Sequence, residues 1–171
     1  MHHHLRLALF MSVTALASSA RALPETGGTM PTFAVDAIDG TRHTQADLRG
    51  HWSVALVMTD KDVKDDLAAW WGRLETSVPG RARMYTFAAL SIFPLVPTAL
   101  LIDQARGSTP RPLWSSVWFS RDGSFAHSLG LPEDELPWVV VIHPDGRVVD
   151  TLHERVSAQG LSRILAALPP P

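Results

Sequence analysis

The apolar positions of the chain change period several times, and each change predicts an element. "TFAVDAIDG", residues 32–40, alternates in part and closes on the turn pair Asp39-Gly40, which predicts a first strand. "HTQADLRGHW" predicts a helical turn or loop, and "SVALVMT", Ser53 to Thr59, is a nearly unbroken apolar run of the kind that a sheet buries on both faces. From Asp60 onward Val63, Leu67, Trp70 and Leu74 recur at intervals of four, three and four, one stripe of a helix with Trp71 on its flank, ending near "SVPG". Ala82 to Leu90 predicts a second inner strand, and Pro94 and Pro97 fit a loop followed by a helix from about Pro97 to Arg106.

The second half is patterned more sharply. "WSSVWFSRDG" predicts a strand closed by a turn at Arg121 to Gly123, with "SFAHSLGL" a short helical or irregular stretch after it. "WVVVIHPDGRVVDTLHE" is a β-hairpin about Pro144-Asp145-Gly146. "SAQGLSRILAAL" predicts a last helix, with Ser157 as N-cap and Leu161, Ile164, Leu165 and Leu168 inward, and the prolines of the tail end it. Strands interleaved with helices and finished by a hairpin and a helix predict one mixed α/β domain over residues 32–168, with a central sheet covered on both faces.

The amino-terminal stretch has a different character. Arg6, an apolar run from Leu7 to Ala17 and Ala20-Arg21-Ala22 have the layout of a secretory signal peptide, residues 1–22, cleaved near Ala22. The run falls short of the about 20 residues that a membrane-spanning helix needs, so no span is expected after cleavage. His2 to His4 fit a truncated purification tag or the polar head of that leader. Residues 23–31 read as a flexible lead and 169–171 as a proline tail. A formal net charge of −2 offers no basic surface for nucleic acid. The 171 residues contain no cysteine, which removes thiol chemistry, while a domain of this size folds without disulfides.

The order of elements, together with "PTFAVDAIDG", "DLRGHWSVALV" and "LPWVVVIHPDGRVV", resembles the thioredoxin-like superfamily in its TlpA and AhpC/TSA branch. Within it, "WSSVWFSRDGSFAHSLGLPEDELPWVVVIHPDGRV" is most similar to the small exported YtfJ-type proteins, which also lack redox cysteines. The resemblance implies an active-site position where the central strand enters the first long helix, because a helix N-terminus stabilises a thiolate. A CxxC motif would fall on Asp62-Val63-Lys64-Asp65 and a TxxC motif on Thr59-Asp60-Lys61-Asp62, so aspartate stands where sulfur would be in either register. The resemblance also implies a facing loop with a cis-proline, matched by Pro137.

A carboxylate performs neither thiol–disulfide exchange nor thiolate peroxide reduction. The residues of that groove, Thr59, Asp60, Asp62, Asp65, Pro137 and Trp138, are therefore expected to make contacts and not to catalyse. Helix capping and the macrodipole explain the aspartates without any ligand. A cation site in "DKDVKDD" is disfavoured by its lysines and by the missing glycine and glutamate of an EF-hand loop. His43, His51, His127, His143 and His153 show no metal-ligand spacing, and no metal or cofactor is expected. Trp114 and Trp118 share strand parity and are candidates for an exposed aromatic patch. The expectation is an exported binding or accessory module of the periplasm or cell envelope, whose partner is another envelope protein. The alternatives are a non-redox, metal-assisted carboxylate enzyme and a structural envelope component that binds through aromatic side chains.

Overall fold

The computed structural model describes residues 26–171, and the leader expected at residues 1–22 lies outside the described residues. Seven strands form one sheet: β1 (Ala34–Ala37), β2 (Arg42–Thr44), β3 (Ser53–Met58), β4 (Arg83–Ala89), β5 (Val117–Ser120), β6 (Trp138–Ile142) and β7 (Val148–His153). Their order is β2-β1-β5-β4-β3-β6-β7, with β3, β4 and β5 parallel and the remaining pairs antiparallel. Helices α1 (Lys64–Ser77), α2 (Thr98–Ser108), α3 (Ser124–Leu129) and α4 (Ala158–Ala167) complete the described domain.

The apolar run of β3 lies at the centre because alternate side chains of a strand point to opposite faces. Val54 and Leu56 join Trp70 and Leu74 of α1, Val139 and Val141 of β6, and Ile164 and Leu168 of α4 in one core. Ala55 and Val57 face the other way, into a core with Phe87, Trp118, Phe125 of α3, Phe33 and Met30. The expected stripe of α1 is confirmed: Val63, Trp70 and Leu74 are fully buried, and Trp71 is half-buried on the flank. Ser157 accepts from the Gly160 amide at 2.9 Å and caps α4, and Trp70 Nε1 donates to Glu154 O at 2.9 Å just before it. Arg81 closes the far end of α4, donating to the carbonyls of Leu165 and Pro169 at 2.7 Å each.

Three features depart from the expectations. His43 and Thr44, read with the helical turn or loop that follows, belong instead to the short edge strand β2 paired with β1; three polar residues carry no periodicity to announce it. Residues 27–30, read as flexible, lie along the start of β7: Gly27 N donates to Val148 O at 2.7 Å, Met30 N donates to Gly146 O at 2.9 Å, and the Met30 side chain is buried. Trp114 is not in a strand at all, because Pro110 and Pro112 set a 3₁₀ turn over Arg111–Ser116 and β5 begins only at Val117. Trp118 is consequently fully buried, whereas Trp114 is half-buried between the guanidinium groups of Arg106 and Arg111, 5.1 and 5.4 Å from its ring centre. The expected exposed patch of Trp114 and Trp118 does not form. Helix α2 forms where a helix was expected, and none of its residues is buried.

Candidate functional site

Strand β3 delivers Thr59, which is buried although polar, to the carboxyl end of the sheet. The chain then turns at Asp60, in extended conformation, whose carboxylate accepts from the Asp62 amide at 2.7 Å and caps a 3₁₀ turn, Lys61–Val63, leading into α1. Asp60 thus satisfies an amide that the start of a helix leaves unpaired. Asp62 is exposed and receives Lys61 Nζ at 3.0 Å on both carboxylate oxygens, a contact that raises the Lys61 pKa. Asp65 is exposed in the first turn of α1, and Asp66 accepts from Arg155 Nε at 3.1 Å.

Facing this helix start is the loop before β6. Thr59 Oγ1 accepts from the backbone amide of Asp134 at 3.0 Å, tying the end of β3 to that loop across 75 residues of sequence. The Asp134 carboxylate accepts from the Leu136 amide at 2.9 Å, and its Oδ1 lies 3.2 Å from His153 Nε2. Pro137 is buried, and no cis peptide bond occurs among the described residues, so the cis-proline implied by the resemblance is here a trans-proline. Trp138, the cross-strand partner of His153, carries that imidazole flat on its indole, with centroids 3.7 Å apart and planes within 3°. Trp138 Nε1 and His153 Nε2 are both buried with no aligned hydrogen-bond partner among the described residues.

The structure therefore divides the nominated residues into two groups. Thr59, Pro137 and Trp138 come together, joined by Asp134 and His153, which sequence reasoning had not selected. Asp60 is spent on its cap, while Asp62 and Asp65 stand at the exposed rim. A hydroxyl, an imidazole and a carboxylate are all present, but Thr59 Oγ1 bonds to backbone and His153 Nε2 faces Asp134. That is not the hydroxyl–imidazole contact that activates a nucleophile. No group of three or more histidine or acidic side chains fit to hold a metal occurs among the described residues.

A further feature of this end of the sheet was missed in the sequence. The segment after β4 exposes Phe93 and Leu95 to 69% and 82%, and Leu100 at the start of α2 to 59%. Arg121 braces it, donating to Thr98 Oγ1 at 2.7 Å and to Pro94 O at 2.9 Å. The signal was the uncharged run "IFPLVPTALLI", whose two prolines keep Phe93 and Leu95 out of regular structure before α2 begins at Thr98.

This arrangement of sheet and helices is the thioredoxin-like fold. No protein-family model and no curated protein matches the sequence. Among solved structures, the chain is similar to the exposed lipoprotein thioredoxin Etrx1 of Streptococcus pneumoniae, with a TM-score of 0.57, 15% identity, and coverage of 79% of this chain and 98% of that one. MTB dsbF, in mixed oxidized and reduced forms, gives a TM-score of 0.60 at 18% identity, covering 83% and 98% of the two chains. BsSco, of the Sco family of cytochrome c oxidase assembly proteins, gives 0.59 at 12%, covering 85% and 96%. With no cysteine anywhere in its sequence, the chain has this fold without its thiol chemistry.

Proposed function

We propose that the protein is an exported, YtfJ-type binding or accessory module of the periplasm or cell envelope, which engages another protein at the carboxyl end of its sheet. The exposure of Phe93 and Leu95 on a braced loop carries this reading, since large apolar side chains held rigidly in water mark interaction surfaces. The groove of Thr59, Pro137 and Trp138 lies at the same end, with Asp60, Asp62 and Asp65 as its polar rim. Rigid bracing favours binding because little conformational freedom is lost on association. The leader-like residues 1–22 support export.

The test is affinity capture from envelope extract with the full chain, comparing wild type with Asp62→Ala, Asp65→Ala and the double variant Phe93→Ser/Leu95→Ser, and with bound metal quantified in each preparation. A stoichiometric partner that the variants lose supports the reading. A partner retained by all of them places binding elsewhere, and a stoichiometric metal lost in Asp62→Ala favours a carboxylate enzyme instead.

A further inference from the structure

A second concavity opens at the other end of the sheet, where β4 and β5 begin. Strand β4 starts at Arg83, paired with Ser53 of β3, but its ladder with β5 starts only at the pair Thr86 and Val117. The chain before Val117 is diverted into the 3₁₀ turn, so Arg83, Met84 and Tyr85 have no strand neighbour on that side. A groove of about 570 Å³ fills the gap, walled by Trp71 and Val78 on one face of the sheet, by Trp118 and Tyr85 on the other, and by Leu113 on the turn. Its volume lies within the range of small-ligand sites, roughly 300 to 1,000 Å³.

Polar and apolar residues line the groove in equal number, and one of its two carboxylates, Asp47, already accepts from the Thr44 amide on Oδ2 at 2.7 Å. His43 stacks on Trp118 at 4.7 Å, and its buried Nδ1 has no hydrogen-bond partner among the described residues. Asp47 lies 3.7 Å from that nitrogen, beyond bonding distance. Glu75 of α1 borders the same space and makes no ion pair among the described residues. Arg83 is exposed and lines the same groove, and its charge acts on Tyr85 and His51 nearby. Two carboxylates against one guanidinium therefore border a trough of mixed lining, whose floor includes a stretch of strand outside the β4–β5 ladder.

An unpaired strand edge is completed by an extended backbone, with side-chain pockets setting the preference. We propose that this groove binds a short extended peptide segment as an added strand beside Arg83–Tyr85. A basic side chain of that segment is drawn to Asp47 and Glu75, and apolar side chains pack against the exposed parts of Trp71 and Leu113. The site is separate from the one at the carboxyl end and does not depend on it.

The probe is the capped tripeptide Val-Lys-Val, titrated to millimolar concentration into the isotope-labelled full chain and followed by amide and indole NMR shifts. Saturable shifts are expected at the amides of Met84 and Tyr85 and the indole of Trp71. N-methylation of every peptide nitrogen should weaken binding about tenfold, since it removes the backbone donors. Val-Glu-Val, or the variant Asp47→Asn/Glu75→Gln, should weaken it about fivefold. The methylated peptide leaves the protein untouched, so its result stands even if the double variant folds poorly. Absence of shifts at the β4 amides, equal binding of the methylated peptide, or equal binding of the lysine and glutamate peptides each overturns the proposal. Shifts confined to Trp71 would mark a site for small apolar molecules and overturn it as well.

Discussion

The imidazole of His153 lies flat on the indole of Trp138, 3.7 Å between centroids and 3° from parallel, and Asp134 Oδ1 is 3.2 Å from its Nε2. Stacked aromatic pairs contribute about 0.5–1.5 kcal/mol beyond the area they bury. A double-mutant cycle with Trp138→Leu and His153→Leu is expected to give a coupling energy of about 1 kcal/mol in urea unfolding. Strict additivity would show that the stack contributes nothing of its own.

At the start of α1, capping and ion pairing are separable. Asp60→Ala removes the acceptor of the Asp62 amide and should cost about 1 kcal/mol. Asp62→Ala removes only an exposed, solvent-screened pair with Lys61 and should leave stability nearly unchanged. Thr59→Val leaves the Asp134 amide without its acceptor inside the protein and should cost about 1–3 kcal/mol, while Thr59→Ser should recover most of that loss. Chemical denaturation ranks all four variants, and a larger loss in Asp62→Ala than in Asp60→Ala contradicts the assignment of the cap.

Much of this arrangement is legible in the sequence, and the parts that are not have identifiable reasons. The stripe from Val63 to Leu74, the buried run of β3 and the Pro144-Asp145-Gly146 hairpin follow from period and turn chemistry alone. Simple counting across that hairpin, however, places Leu152 opposite Trp138. A bulge between Val141 and Ile142, where Val149 is the extra residue, shifts the register by one and brings His153 there instead. One residue of register exchanges the faces of a strand, so the stack could not be read in advance. The parity of Trp114 and Trp118 misled for a related reason: parity has meaning only within a strand, and the prolines had already ended it.

Gly160 occupies the first turn of α4, where alanine is ordinarily preferred by about 1 kcal/mol. A Cβ there would meet Glu154 Oε1, the Trp70 ring at 3.0 Å and Ser157 Oγ at 3.1 Å. Glu154 can swing away, but the fully buried Trp70 cannot. Gly160→Ala is expected to destabilise by about 1–3 kcal/mol despite its better helix propensity, measured as a lowered denaturation midpoint. A gain in stability would mean that the packing at this crossing yields easily.

His51 donates to or accepts from Tyr85 Oη at 3.0 Å. Burial first, and the charge of Arg83 second, lower its pKa below the usual 6.5. The unfolded chain therefore takes up this proton at a higher pH than the folded one, and protonation favours unfolding. The contribution of His51 to stability is full above about pH 6.5 and declines as the pH falls through the folded pKa. Melting temperatures from about pH 7.5 to pH 5 should fall more steeply for wild type than for His51→Gln. Parallel profiles would show that this histidine has no part in the pH response.

The core shared by α1, β3, β6, β7 and α4 has a consequence for how the molecule comes into being. Its last wall, Ile164 and Leu168, comes from the last helix of the described domain and the residue after it, and Arg81 waits for the carbonyls of Leu165 and Pro169. Until those residues leave the ribosome, Leu74, Val139 and Val141 lack their cover. Synthesis must therefore carry α4 clear of the ribosome before this core can close, and until then its apolar walls stay open to whatever machinery handles unfolded polypeptides.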